Sequence, residues 1–133
     1  MSSETIIEET DRFLPVFNAD GLIPCIAVDA TSGSVLMLAW MNEEALRCTM
    51  QSGFAHYWSR SRQCLWKKGA TSGALQKVVS LKTDCDQDAI LVAVAVEKPE
   101  DTCHTGRPTC FYRSIVPDGK GPSGMKLEFD GAS

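Results

Sequence analysis

Ala89-Ile90-Leu91-Val92-Ala93-Val94-Ala95-Val96 is apolar at every position. A half-buried strand alternates polar and apolar side chains, so a run without alternation belongs in the middle of a sheet with both faces covered. This predicted central strand anchors the segment before it. Asp84-Cys85-Asp86-Gln87-Asp88 leads directly into the run and is held at the mouth of the core. In extended backbone its three carboxylates face one way and its thiol the other. Oxygen ligands suit Mg²⁺, Mn²⁺ or Ca²⁺, and thiolate suits Zn²⁺. A flat strand would separate the Asp84 and Asp88 Cα atoms by roughly 13 Å, too far for one ion. Either the segment curls around a cation, or not all three carboxylates touch the same one. An EF-hand loop is excluded, because its sixth and twelfth positions hold Ala89 and Ala95 instead of Gly and Glu.

One thiol cannot hold zinc. Downstream, Cys103-His104-Thr105-Gly106-Arg107-Pro108-Thr109-Cys110 offers two more and an imidazole, so three Cys and one His are the candidates. A last strand is expected over 111–116. Pro117, Pro122 and four Gly between 119 and 131 then predict a flexible tail over 117–133. Upstream, strands over 22–28 and 35–40 form a hairpin through Thr31-Ser32-Gly33-Ser34. Asn42 caps a helix with Glu43 and Glu44 in its first turn and Gly53 as its stop. Ala45, Leu46, Thr49 and Met50 form its inner face, and strands over 54–59, 64–68 and 75–81 follow. Residues 1–20, with four acids in the first eleven positions, are expected as a loose or helical N-terminal arm with no assigned role.

With 133 residues and 44% hydrophobic content, the chain is one domain able to bury a core without staples. Its six Cys therefore read as thiols of a reducing cytoplasm rather than a disulfide scaffold, and Met1-Ser2-Ser3-Glu4 lacks a signal peptide's character. No apolar run nears the roughly 20 residues that span a bilayer. The net charge of −4 hides a basic block. No acid lies between Glu44 and Asp84, where Arg47, Arg60, Arg62, Lys67, Lys68, Lys77 and Lys82 fall. Within it, Gly69-Ala70-Thr71-Ser72-Gly73 can turn backbone N–H groups and two hydroxyls towards a phosphate. Arg60 and Arg62 offer forked contacts to such a group, and Lys67 and Lys68 offer point charges. Adjacent strand positions face opposite ways, so one of the two lysines is expected to reach a ligand. Trp58 and Trp66 either stack on a base or belong to the core.

Trp58-Ser59-Arg60-Ser61-Arg62, Leu65-Trp66-Lys67-Lys68-Gly69, Thr71-Ser72-Gly73, Asp84-Cys85-Asp86-Gln87-Asp88-Ala89 and Cys103-His104-Thr105-Gly106 to Cys110-Phe111 occur together in this order. In these motifs the chain resembles the phosphoribosyl-AMP cyclohydrolases, from about Leu22 to Ile115. The resemblance implies a cytoplasmic hydrolase of histidine biosynthesis that opens the purine ring of N1-phosphoribosyl-AMP. It implies Cys85, Cys103 and Cys110 as zinc ligands and Asp84, Asp86 and Asp88 as magnesium ligands. Cys85 of one subunit would meet Cys103 and Cys110 of the other. The implied fold is a compact, sheet-dominated α+β domain in an intertwined homodimer, with its cyclohydrolase domain over 21–116. Ala70 stands where members often carry Glu.

In that chemistry, three thiolates leave zinc one open position for water. Zinc lowers the water's pKa, although three anionic sulfurs blunt the effect, so some further help is required. Attack at C6 and loss of N1 then open the ring. His104 is the candidate general acid or base, with His56 second. Substrate contacts are expected from Arg60, Arg62, Trp66, Lys67, Lys68, Thr71 and Ser72. Two rivals stand beside this reading. A structural zinc module binding nucleic acid through the basic block would close zinc with a fourth protein ligand. A redox protein would use Cys103 and Cys110 as a dithiol and hold no zinc.

Overall fold

The computed structural model describes residues 6–130. The ends of the expected arm and tail, 1–5 and 131–133, lie outside them. The fold is sheet-dominated α+β with one α-helix. Its strands are β1 (Ile23–Asp29), β2 (Val35–Met41), β3 (His56–Ser59), β4 (Cys64–Lys67), β5 (Gln76–Thr83), β6 (Ile90–Val96), β7 (Arg113–Pro117) and β8 (Met125–Phe129), and α1 is Glu43–Ser52. The main sheet has the order β2-β1-β6-β5, with β1 and β6 parallel and the other pairs antiparallel. β3 with β4 and β7 with β8 form two separate antiparallel pairs.

β6 lies between β1 and β5, the interior position that its composition predicts. The coverage differs from expectation. Ile90, Val92 and Val94 are buried in the core beside Ile23, Cys25, Ala27, Leu36, Ala39 and Met41. On the other face, Leu91 is 38% exposed and its lateral neighbour on β1, Ile26, is only partly covered. The reason is supply. One ten-residue helix and the β3-β4 pair cover a single side, leaving an apolar face uncovered within the chain.

The helix forms as its termini predict. The Asn42 side chain accepts a hydrogen bond from the Ala45 amide at 2.8 Å, and Gly53 closes the other end in the left-handed conformation at φ 78°. Its buried residues are Ala45, Leu46 and Thr49. Met50, expected with them, is 60% exposed because its position falls outside the stripe facing β3.

At the C-terminal end, the region expected as a flexible tail contains β8, paired with β7 from Arg113↔Phe129 to Pro117↔Met125. Met125, Leu127 and Phe129 alternate along β8, and the glycines before it make the turn rather than disorder. All three are more than half exposed, as is Ile115 on β7. At the other end, the arm holds a short 3-10 turn at Ile7–Glu9 and then runs without regular structure to Phe17, which packs against the core.

Candidate active site

The Asp84–Asp88 segment curls. The Gln87 amide donates to the Asp84 carbonyl at 3.1 Å, and the Asp84 carboxylate accepts from the Asp88 and Ala89 amides at 3.0 and 3.1 Å. Gln87 adopts φ 58°, a conformation that L side chains rarely enter. The turn brings an oxygen from each of Asp84, Asp86 and Asp88 within 4.8 Å of the others, all three exposed. Three converging carboxylates are a hard donor set matched to Mg²⁺ or Mn²⁺. The cluster is electrostatically tight: Asp88, hydrogen-bonded to Asp86 and Asp84 and repelled by their charge, is pushed up to about 6. For Asp84, desolvation acts upward, but hydrogen bonds from Asp88, Asp86 and Ala89 outweigh it and hold the carboxyl below its usual range.

Gln87 itself is 4% exposed, alone in an otherwise exposed turn. Its side-chain carbonyl accepts from the Leu14 amide at 2.6 Å and its side-chain amide donates to the Arg12 carbonyl at 3.2 Å. Its main-chain carbonyl accepts from Val16 at 2.7 Å. The N-terminal arm is thus a strap buckled onto the carboxylate turn. Spacing did not reveal this role, because a left-handed glutamine leaves no periodic signal.

Cys103 and Cys110 lie on the loop between β6 and β7. The loop is pinned by the Cys110 amide to the Leu36 carbonyl at 2.7 Å and by the Thr109 hydroxyl to Val35 at 2.9 Å. A turn within it joins the Cys103 amide to Arg107 and the Gly106 amide back to Cys103, both at 2.9 Å. The two thiols shift each other's acidity in opposite directions. Burial disfavours the Cys103 thiolate, but the Thr105 hydroxyl, which donates to its sulfur at 3.1 Å, outweighs that together with Cys110 and Lys68, and the pKa falls below the ordinary value. Burial and then the Cys103 charge push Cys110 up to about 11. Cys85 is exposed on the carboxylate turn, and a single chain does not gather it with Cys103 and Cys110 into one cluster of thiols within 4.8 Å. Cys25, by contrast, is fully buried in the main sheet and pushed up to about 12, which suits a packing residue.

His104 is exposed beside Cys103. The His56 ring lies 2.8 Å from the Phe54 carbonyl through Nδ1, a local tie. Arg60 and Arg62 border a cleft of about 550 Å³ with Trp40, Trp58 and Trp66, and the Arg60 guanidinium sits 4.9 Å over the Trp40 ring. Trp66 also packs on the buried Tyr57, with ring centroids 5.4 Å apart. Thr71 and Ser72 are exposed on their loop. Gly69 at its base has φ 85°, and a Cβ there would meet the Ala74 backbone at 2.2 Å, so only glycine fits. The two lysines diverge: Lys67 lies 4.8 Å over the Phe54 ring, whereas Lys68 is 8% exposed and donates through Nζ to the Thr102 carbonyl.

Residues 37–112 match the family model of phosphoribosyl-AMP cyclohydrolase, more than half of the chain. A curated phosphoribosyl-AMP cyclohydrolase of Brucella canis is 58% identical over 118 residues, covering 89% of this chain and 85% of its own length. Another, of Brucella anthropi, is 53% identical over 131 residues, covering 98% and 91%. At that identity and coverage, the carboxylate turn, the paired thiols and the basic cleft lie on a chain that belongs to the phosphoribosyl-AMP cyclohydrolase family, hydrolases of histidine biosynthesis.

Proposed function

We propose that this cyclohydrolase opens its purine at a composite site, with the Cys103–Cys110 loop of one subunit facing the Asp84–Asp88 turn of a second. The observation that carries the reading is the thiol arrangement. Cys103 and Cys110 share one loop pinned to β2, while Cys85 stands apart, exposed on the turn with the carboxylates. A second subunit removes the discrepancy by offering its own Cys85. The uncovered side of the main sheet, with Leu38 and Leu91 exposed, and the apolar β7-β8 pair supply surface for such a partner.

Thiolates suit a soft cation and the three converging carboxylates a hard one, so the donors fit Zn²⁺ and Mg²⁺ respectively. Zinc, when held by Cys85, Cys103 and Cys110, supplies Lewis-acid activation of water at neutral pH. Around it, His104 exchanges the proton that must leave the attacking water and reach N1 as the N1–C6 bond breaks. Thr105 donates to the Cys103 sulfur and so favours the thiolate that a metal needs. Arg60 and Arg62 take substrate phosphate at the rim of their cleft, where Trp66 offers a ring face to the base. Lys67, Thr71 and Ser72 extend that anion-binding surface.

Mixing two inactive variants tests the composite site. Cys85→Ala and Cys103→Ala dimers each lack a ligand in both sites, but a mixed dimer regains one complete site of two. Unfolding and refolding an equal mixture should restore about a quarter of wild-type turnover, since half the dimers are mixed. No recovery, with both variants folded and exchanging subunits, would place the complete ligand set in a single chain.

A further inference from the structure

We infer that Lys68 is a positioning residue of the thiol loop, holding the Thr102 carbonyl beside Cys103 and offsetting the negative charge that three thiolates place around a bound zinc. The inference rests on the proposed assignment of Cys103 and Cys110 as zinc ligands, and it moves Lys68 from the substrate surface into the support of the metal.

Lysine is almost never buried without a partner, because dehydrating an ammonium is costly. Lys68 is 8% exposed, yet among the described residues the one ion pair within 4.0 Å joins Arg47 to Glu43. The Lys68 ammonium has instead the Thr102 carbonyl and the Trp66 ring at 5.7 Å, and the burial that lowers its pKa is countered in part by Cys110, Cys103 and Asp101 nearby. The backbone places it there deliberately. Its amide donates to Ala55 at 3.0 Å, and Gly69, which tolerates no side chain, turns the chain immediately after it. Thr102 is 1% exposed and bonded through its amide to Pro99 at 3.1 Å, so the carbonyl that Lys68 grips is itself fixed.

Charge counting explains why a cation is wanted. Zn²⁺ with three thiolates carries one net negative charge, which weakens its pull on a water molecule. One buried ammonium brings the assembly to neutrality, and its own burial keeps water from screening that charge fully. A phosphate-binding lysine would instead present its ammonium to solvent and the ligand, as Lys67 can.

The test compares Lys68→Met and Lys68→Arg in the full-length enzyme, loaded with zinc for kinetics and with cobalt for spectroscopy. Lys68→Met should lower metal affinity and kcat by about 10 to 100-fold and shift the sulfur-to-cobalt bands, with KM for phosphoribosyl-AMP nearly unchanged. Lys68→Arg should recover kcat at least in part. Wild-type cobalt bands with unchanged kcat in Lys68→Met, or a raised KM alone, would overturn the inference. If Lys68→Met does not fold, Lys68→Arg decides: retained kcat and native bands support the charge role, and a raised KM at unchanged kcat overturns it. Wild-type enzyme whose cobalt spectrum lacks sulfur bands would refute the zinc assignment itself, a failure distinct from that of Lys68.

Discussion

At Asp88 the proposed cation would have to compete with a proton. Its carboxyl, pushed up to about 6 by Asp86 and Asp84, is ionised at pH 7 and protonated at pH 5. A proton must leave before a metal can use that oxygen, so affinity falls as pH drops. Mn²⁺ titration by electron paramagnetic resonance should find binding about tenfold weaker at pH 5 than at pH 7. His104, exposed next to Cys103, should lower turnover about 10² to 10⁴-fold when changed to Ala without lowering the zinc content that elemental analysis finds in the unaltered enzyme, if the proposed site holds zinc. Near-normal turnover would remove it from the reaction. A third residue bears on stability alone. The Tyr57 hydroxyl donates to the Gln76 side chain at 2.6 Å with both residues fully buried. Tyr57→Phe strands that acceptor and should cost about 1 to 3 kcal/mol in urea unfolding. Residue types and spacing made the metal-capable side chains legible, since Cys and clustered Asp announce themselves. The burial of Lys68 was not legible, because an exposed strand and a sharply turning one read alike in a run such as Trp66-Lys67-Lys68-Gly69.

Strands and helix emerged from patterning with boundaries displaced by a residue or two. β6 was readable from its unbroken apolar run, and α1 from Asn42 and Gly53. Two elements escaped. β8 escaped because Pro and Gly around it resemble linker composition, whereas their turn actually returns the chain onto β7. The strap escaped because it makes no sheet; its order comes from three hydrogen bonds to one residue 71 to 75 positions away. Those bonds predict local rather than global behaviour. Gln87→Ala removes two of them and should raise amide hydrogen exchange at Leu14 while leaving β1 and β6 amides protected. Unchanged exchange at Leu14 would show that the arm is held by Phe17 packing instead.

For the molecule as a whole, the main consequence of the topology is a sheet dressed on one side. Leu38, Ile26 and Leu91 sit laterally across β2, β1 and β6 on its uncovered side. If a second copy covers this face, Leu91→Lys should split the assembly. Sedimentation would then show a single chain, and turnover would fall with it, since the proposed composite site could not close. A variant that stays assembled and active would assign the contact to the β7-β8 pair. Among the described residues no helix is long and apolar enough to cross a membrane. The same bare strands also bear on synthesis. Side by side, their aliphatic side chains form a surface that holdase chaperones grip and from which inclusion bodies grow. Rapid overproduction at high temperature should therefore strand chains in pellets, and slow expression in the cold should bring them back into the supernatant.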